Sequence, residues 1–295
     1  MAPIPSRARA ASDSAAVVAN LDQQIQTHDG HVALNATQYS ATMYTVGANQ
    51  PKVDIHFDNC QHRAQLPAGF AKMLTGVPVP DGAVGSAGTD SEISIHQPAT
   101  GRLWEFWKFE RKPGNLYSAC WGGEISDTSR NPGVFPYPFG ATASGLPLAA
   151  FVIRTGELLH GQIDHAIGIE VINARRGVTS WPANRTDGNG GGDAPSDPVE
   201  GERFRLNPDV NLAKLHLNPL ALTVARAIQK YGMIVTDQSA GAVAIQAQDP
   251  RSYESQHQGR DPYTAVAGQM PTYMWLVGIP WNDLQAMPMN YGRNS

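Results

Sequence analysis

Residues 140–172 read GATASGLPLAAFVIRTGELLHGQIDHAIGIEVI, and this stretch decides the fold that the rest of the chain is expected to adopt. Positions spaced by about 3.6 residues predict an amphipathic helix: Leu146, Ala149, Ala150, Ile153, Glu157 and Leu158. Gly161 predicts the end of this helix, because a residue without Cβ readily takes the left-handed conformation found at helix C-termini. Residues 166–172 are rich in Ile and therefore predict a strand.

Asp164 and His165 lie between this helix and this strand, where side chains can be held rigidly and still face solvent. Three roles are open for His165. It can be a structural histidine bonded to a backbone carbonyl, a general acid or base oriented by Asp164, or a metal ligand together with His160 or Asp237. A Ser144–His165 pair is a further candidate, although the segment around Ser144 lacks the GxSxG motif.

The composition narrows the class of protein. Charged residues are 16% of the 295 residues, and the chain has 29 glycines and 22 prolines. This balance is typical of an extracellular or virion β protein with many turns. A net charge of −4 without a Lys/Arg stripe argues against a nucleic-acid partner. The sequence has no run of about 18 apolar residues, so no membrane insertion is expected.

The N-terminal segment and the two cysteines bear on where the protein works. Residues 1–12 have little to bury and are predicted to be disordered, and residues 14–26 predict a short helix. No apolar core marks a standard secretory signal, so a virion or extracellular location requires another route. Cys60 and Cys120 fit either two buried thiols or one disulfide.

The alternation of apolar and polar residues predicts a mainly β protein with two helices. Residues 90–97, 103–111 and 116–125 predict a meander of antiparallel strands, and shorter strands are expected at 42–46, 53–57 and 204–206. Asn218 and Pro219 predict the start of the second long helix. Residues 233–237 and 242–247 follow it and predict a hairpin.

Asp90 and Glu92 are a candidate catalytic pair. They share one face of the first strand of the meander, about 6.5–7 Å apart by the strand rise. Glycosidases place two carboxyl groups roughly 5–10 Å apart, so this spacing suits glycan hydrolysis. His96, on the same face, is a candidate substrate-binding residue or a base of the kind used by polysaccharide lyases. The alternative is a solvated face of an antiparallel sheet.

The strand LWEFWKFER carries the second group of candidates. Glu105 lies between Leu103 and Trp107, and apolar surroundings raise the pKa of an unpaired carboxyl group. Glu105 is therefore a candidate catalytic acid, or else a buried carboxylate paired with an arginine. Trp104, Trp107 and Trp121 are candidate sugar-stacking residues, with core packing as the alternative.

No cofactor is expected, and no residues match a standard metal signature. Residues 185–197 read RTDGNGGGDAPSD and predict a mobile surface loop. The three aspartates of this loop leave a calcium site open as an alternative.

The blocks GATASGLP, ELLHGQIDHAIGIEV, SWPANRTDG, EGERFRLNP and AIQKYGMIVTDQSAGAVAIQAQDP occur in this order. In them the chain resembles a poorly characterised family of actinobacterial and actinobacteriophage proteins, over residues 90–249 and again at IPWNDL. The resemblance implies a β-sandwich of the jelly-roll or concanavalin-like type with a helix against it. It implies no catalytic residues. Residues 90–295 are accordingly expected to form the sandwich domain, and residues 13–89 an attachment or assembly region.

Two functions follow as hypotheses. The first is recognition of a cell-envelope glycan, or a structural role, as a phage-tail-associated virion protein with other tail proteins as partners. The second is cleavage of actinobacterial surface polysaccharide by a glycoside hydrolase or polysaccharide lyase. The second predicts that Asp90, Glu92, Glu105 and His165 line one cleft. Homo-oligomers are also expected if the apolar residues 270–281 do not cover the protein's own core.

Overall fold

Three β-sheets form the framework of the described part of the protein. The computed structural model describes residues 1–188, 194–257 and 261–293. Within those residues the strands are β1 (Ala33–Asn35), β2 (Ala41–Thr45), β3 (Ile55–Phe57), β4 (Glu92–Gln97), β5 (Arg102–Trp107), β6 (Glu110–Lys112), β7 (Leu116–Ala119), β8 (Trp121–Ile125), β9 (Ile167–Val171), β10 (Arg203–Leu206), β11 (Met233–Gln238), β12 (Ala244–Gln246) and β13 (Leu284–Ala286).

Short helices cover and connect the sheets. They are α1 (Ser14–Gln26), α2 (Phe70–Met73), α3 (Leu148–Phe151), α4 (Thr155–His160), α5 (Pro219–Lys230), α6 (Pro250–Gln256) and α7 (Pro262–Ala267). Single 3₁₀ turns lie at Leu212–Lys214, Thr272–Met274 and Trp281–Asp283. The protein is therefore mixed α+β with sheets predominating, which confirms the expected class at that level.

The strand order combines parallel and antiparallel pairs. The six-stranded sheet has the order β1-β12-β9-β11-β10-β13, the four-stranded sheet β2-β4-β5-β8 and the three-stranded sheet β3-β7-β6. The pairs β1–β12, β9–β11, β2–β4 and β3–β7 are parallel. Both β1 and β2 come from the N-terminal segment, so residues 13–89 and 90–295 share sheets.

The largest apolar core lies between the six-stranded sheet and the two long helices. Helix α1 buries Val17, Val18, Leu21 and Ile25 there, and α5 buries Leu220, Val224 and Ile228. Asn218 accepts a hydrogen bond from the Ala221 N–H, which confirms it as the N-cap of α5. Trp275, Leu276, Ile279 and Trp281 also belong to this core. Residues 270–281 thus cover the protein's own interior.

The region 146–172 differs from its prediction in one respect. Two short helices, α3 and α4, replace the single helix, and Val152 between them is extended (ψ 133°). Ile153 forms an isolated β-bridge with Ala247, and β-branched residues favour such extended backbone. Gly161 ends α4 in the left-handed conformation (φ 68°), as predicted, and β9 follows.

Two strand predictions also need correction. The hairpin of residues 233–237 and 242–247 is wrong, because β9 lies between β11 and β12 in the sheet. The meander pairs as predicted, but both of its long strands are broken. Lys108 has a positive φ of 52° and separates β5 from β6, and Cys120 separates β7 from β8.

A disulfide joins Cys60 to Cys120. Of the two alternatives for these cysteines, the disulfide is therefore correct and the pair of buried free thiols is wrong. The N-terminal residues are also held in place, contrary to the expected disorder: Ile4 is buried and its N–H donates to the Lys230 carbonyl at 2.8 Å. None of the helices in the described part of the chain is both long and apolar enough to cross a bilayer.

Candidate functional site

A cavity of about 870 Å³ opens between the six-stranded and four-stranded sheets. Carboxyl groups from both sheets and from one loop line it: Asp90, Glu92, Glu170, Asp187 and Asp237. We call this space the acidic cavity. None of these five forms an ion pair with a Lys, Arg or His within residues 1–188, 194–257 and 261–293.

A β-bulge brings two of these carboxyl groups together. Strands β9 and β11 run parallel with Val235 opposite Ile169, but the register then shifts and Asp237 stands opposite Glu170. A bulge of this kind redirects the following side chains. Thr236, the additional residue, is buried and its hydroxyl donates to the Ile169 carbonyl. Asp237 consequently lies beside Glu170 at the cavity wall.

Asp90 and Glu92 reach the cavity from the start of β4. Ser91 between them has a positive φ of 44°, and its hydroxyl donates to the Phe109 carbonyl at 2.7 Å. The Trp107 indole donates to Asp90 Oδ1 at 3.0 Å, and the Gln246 amide donates to Glu92 Oε2 at 2.9 Å. Both carboxyl groups are thereby fixed in orientation, and the expected pair does line one cleft.

Burial and mutual repulsion favour the protonated forms of Glu92, Glu170 and Asp237. Burial raises the pKa of Glu92 well above its usual value, and the neighbouring charges of Glu170, Asp237 and Asp90 add to that effect. Burial, then Asp237, raises the pKa of Glu170 in the same way. The pKa of Asp237 rises to about 7, mainly through burial. The cavity thus holds proton donors at neutral pH.

Glu200 lies beneath the cavity wall and completes a second group. Carboxylate oxygens of Asp187, Glu200 and Asp237 lie within 4.8 Å of one another. We call these residues the carboxylate triad. Burial, with Asp237 next, raises the pKa of Glu200 to about 9. Among the residues that the structure describes, these three are grouped closely enough to hold a metal ion.

Aromatic and basic side chains complete the cavity lining. Trp107 and Trp121 line it, as does Tyr39. The Trp121 ring stacks on the Phe70 ring, with 4.5 Å between the ring centroids. The Arg63 guanidinium forms a cation–π contact with Trp121, 4.0 Å from the centroid of the indole ring. Trp121 is therefore packed against protein groups, whereas Tyr39 is exposed and Trp107 is partly exposed.

Glu105 does not line the cavity. It is fully buried and accepts hydrogen bonds from the Leu148 and Ala149 backbone N–H groups, each at 2.8 Å, and from the Ser94 hydroxyl at 3.1 Å. Its partners are therefore backbone amides rather than the arginine considered above. Burial raises the pKa of Glu105 to about 7, against the effect of these hydrogen bonds.

His165 and Asp164 lie away from the cavity as well. The His165 ring contacts the Ala166 carbonyl through Nδ1 at 2.8 Å and Glu157 through Nε2 at 3.1 Å. This matches the structural role among the three alternatives. Asp164 is exposed and accepts from the Tyr231 hydroxyl at 2.9 Å. The prediction that Asp90, Glu92, Glu105 and His165 share one cleft is accordingly wrong for the last two.

Three further residues that the sequence suggested for the site, Ser144, Trp104 and His96, lie outside the acidic cavity. Ser144 donates to the Thr236 carbonyl, so no Ser144–His165 pair forms. Trp104 is fully buried in the core of the four-stranded sheet, with the Arg102 guanidinium 4.6 Å from its ring. His96 is not among the cavity residues. Of the four proposed substrate-binding residues, the cavity contains Trp107 and Trp121.

Sequence reasoning missed Glu170 and Glu200 as site residues, and it considered Asp237 only as a metal ligand together with His165. Glu170 and Asp237 occur in IGIEV and MIVTD, where an acid interrupts an apolar strand near its C-terminal end. Adjacent parallel strands place such ends at the same sheet edge, so this pattern was available as a signal. The calcium alternative rested on Asp187, Asp193 and Asp197. Asp187 belongs to the triad, Asp197 binds Asn20 and Ala194, and Asp193 lies outside the described residues.

Comparison with known proteins returns no match to any family model, any curated protein or any solved structure.

Proposed function

We propose that the chain binds a cell-envelope glycan in the acidic cavity and hydrolyses a glycosidic bond there. The observation that carries this proposal is the convergence of Asp90, Glu92 and Trp107 on one cavity of about 870 Å³. Carboxyl groups fixed beside an indole are what glycan hydrolysis needs, since the ring packs on the sugar's C–H face and the acids act on the bond.

Glu92 is the proton donor in this proposal. It lies at the cavity wall only 4% exposed, with one oxygen held by Gln246. Its proton passes to the glycosidic oxygen as the bond from that oxygen to the anomeric carbon breaks. Asp90, held by the Trp107 indole, stabilises the positive charge that develops and accepts a proton from the attacking water. One water is consumed, and each new chain end receives a hydroxyl group.

Trp107 and Tyr39 are the proposed sugar contacts. Tyr39 is 43% exposed and Trp107 is partly exposed, so both can contact a sugar without rearrangement of the core. Arg63, also a cavity residue, supplies a cation for hydroxyl or acidic groups of the glycan. Together these residues favour a polar, extended ligand.

Recognition without cleavage is the second candidate, and one observation favours it. Both Asp90 and Glu92 are held by side-chain donors, and carboxyl groups fixed in this way also serve as acceptors for sugar hydroxyls in a purely binding site. A virion or phage-tail role, with tail proteins as partners, remains a proposal based on the sequence resemblance. The disulfide supports work in an oxidising location such as a virion or the extracellular space.

A jelly-roll or concanavalin-like arrangement also remains a proposal. The antiparallel pairs β4–β5 and β5–β8 support it. The parallel pairs described above are not part of a purely antiparallel jelly roll.

The proposed hydrolysis is tested with purified protein and actinobacterial cell-wall polysaccharide. We expect new reducing ends, and a loss of rate of about 100-fold or more in Glu92→Gln and Asp90→Asn, the usual scale for removing a general acid or base. Glu110→Gln, an exposed carboxyl group on β6, is the matched control and should retain the wild-type rate.

Two outcomes oppose the proposal in different ways. Saturable glycan binding without product over long incubation supports recognition and rejects hydrolysis. Release of unsaturated sugars rather than reducing ends alone identifies a lyase and rejects the roles given to Asp90 and Glu92.

A further inference from the structure

Glu200 is a buried carboxyl group whose two oxygens both lack a hydrogen-bond partner among the described residues. It is 0% exposed, and neither of its carboxyl oxygens receives a hydrogen bond. Thr186 and Asp187 lie beside it and influence its charge, but neither meets hydrogen-bonding geometry at those oxygens. A buried carboxyl group without donors costs free energy unless a proton or a cation satisfies it.

The two other triad residues, Asp187 and Asp237, each place a carboxylate oxygen within 4.8 Å of Glu200. Asp237 Oδ2 accepts from the Ala143 N–H at 2.9 Å, and Oδ1 accepts from the Gln238 N–H at 2.8 Å. Those amides fix the Asp237 carboxylate without neutralising its charge. Asp187 approaches from the exposed side. The triad therefore has one buried, one partly buried and one exposed member.

Arg185 is a basic residue whose charge acts on the triad, but its Nη1 and Nη2 donors are directed elsewhere. Its guanidinium donates to the carbonyl groups of Pro138, Gly140 and Thr142. Its charge acts on Asp237 and Glu200 from a distance, and no ion pair joins it to the triad within the described residues. Within the described residues, the three triad carboxyl groups therefore have no basic side chain as an ion-pair partner.

We propose that Asp187, Glu200 and Asp237 form a binding site for a hard divalent cation of the Ca²⁺ type. Calcium takes oxygen ligands at about 2.4 Å, so two ligands on one ion are at most about 4.8 Å apart. The triad oxygens lie within 4.8 Å of one another, which meets that limit. An all-carboxylate set favours hard cations over zinc or copper.

The site borders the acidic cavity, because Asp187 and Asp237 belong to both. Three carboxylates leave several of the six to eight coordination positions of calcium open toward that space. Water or a ligand hydroxyl group fills them. The cation site stands on the triad alone and does not depend on glycan binding or cleavage.

The test uses full-length protein stripped of metal with a chelator and then titrated with CaCl₂ at pH 7.5. We expect a saturable rise in Tm and a matching binding isotherm by calorimetry. Asp187→Asn, at an exposed position that leaves the core unchanged, should weaken the affinity by more than about tenfold, the smallest loss typical even for outer-shell partners of a metal. Glu200→Gln should do the same.

Glu200→Gln adds a second measurement that distinguishes a lost ligand from a misfolded protein. Removing an uncompensated buried carboxyl group should leave the metal-free Tm unchanged or higher, while the calcium-induced rise disappears. Glu202→Gln is the matched control, since Glu202 is buried two residues away and binds the Val199 N–H rather than the triad. It should keep the calcium response.

The proposal is rejected if Ca²⁺, Mg²⁺ and Mn²⁺ all fail to give a saturable shift. It is equally rejected if Asp187→Asn and Glu200→Gln respond to calcium as the wild type does. Loss of glycan cleavage with intact calcium binding rejects only the proposed function, so the two proposals fail separately.

Discussion

Glu105 shows how a single buried residue can control pH dependence. Its carboxyl group is fully buried and its pKa is raised to about 7, chiefly by burial. In the unfolded chain the same group ionises near 4.5. Between these values the folded state binds more protons, so the free energy of unfolding falls as pH rises. Glu105 stabilises the fold fully below about 4.5, and that contribution is lost above about 7.

We therefore expect Glu105→Gln to flatten the pH dependence of stability. A shift from 4.5 to about 7 corresponds to about 3 kcal/mol. Urea unfolding at pH 5 and pH 8 should differ by about that much less in the variant than in the wild type. Glu110→Gln should preserve the wild-type difference. An unchanged difference in Glu105→Gln would show that this carboxyl group stays ionised throughout.

The sequence identified Glu105 as a carboxyl group in apolar surroundings but not its partners. The apolar neighbours are adjacent in LWEFW and can be read directly. Its backbone partners at Leu148 and Ala149 lie more than 40 residues away, and only the packing of α3 on the four-stranded sheet brings them close. The same limitation applies to Glu200, whose neighbours Asp187 and Asp237 come from separate parts of the chain.

Gly201 determines how the segment before β10 places Glu200. It has φ 85°, and a Cβ there would lie 1.8 Å from the Ser180 carbonyl oxygen and 2.8 Å from the Ala183 Cβ. Only glycine fits this conformation in this space. The approach of the 180–183 segment to Gly201 thus depends on the absence of a side chain.

We expect Gly201→Ala to lower the free energy of unfolding by about 3 kcal/mol or more, from overpacking together with strain at positive φ. Gly177→Ala provides the comparison, because Gly177 also has positive φ (65°) but no atom within 4 Å of its Cβ position. That variant should lose only about 1–2 kcal/mol. Chemical denaturation measures both, and equal losses would contradict the steric explanation.

Elements with strong local signals were predicted closely. Helices α1 and α5 follow from their apolar stripes, and Asn218 with Pro219 marks the start of α5. The helix of residues 146–158 divided because Ile153 bridges to Ala247, a contact between distant residues. Likewise, β12 pairs with β9 and β1 instead of its sequence neighbour β11. Local pattern decides the type of an element, whereas partner choice depends on the whole sheet.

At the scale of the whole molecule, residues 2–8 bind strand β10 through hydrogen bonds from two arginines. Arg205 donates to the carbonyl groups of Pro5 at 2.8 Å and Ala8 at 2.6 Å, and Arg203 donates to that of Ala2 at 2.8 Å. Both arginines are buried. Composition alone suggested disorder here, since it contains no information about acceptors that the backbone offers to distant arginines.

Deleting residues 1–10 should therefore destabilise the protein. Hydrogen bonds to charged groups contribute about 1.5–3 kcal/mol each, so we expect a loss of about 3 kcal/mol or more. Arg9→Ala is the control, because Arg9 is exposed and its removal leaves those carbonyl groups in place. Unchanged urea unfolding of the truncated chain would show that solvent satisfies Arg203 and Arg205 equally well.

The parallel pairing of β1 with β12 has a consequence for biosynthesis. Ala33 stands opposite Ala244, and α1 packs near β13 at the other end of the chain. During translation the N-terminal strand and the apolar face of α1 must wait for partners that are made more than 200 residues later. At ribosomal speeds of about 5–20 residues per second, that interval is on the order of 10–50 s. A nascent chain with this topology stays open to chaperones for most of its synthesis.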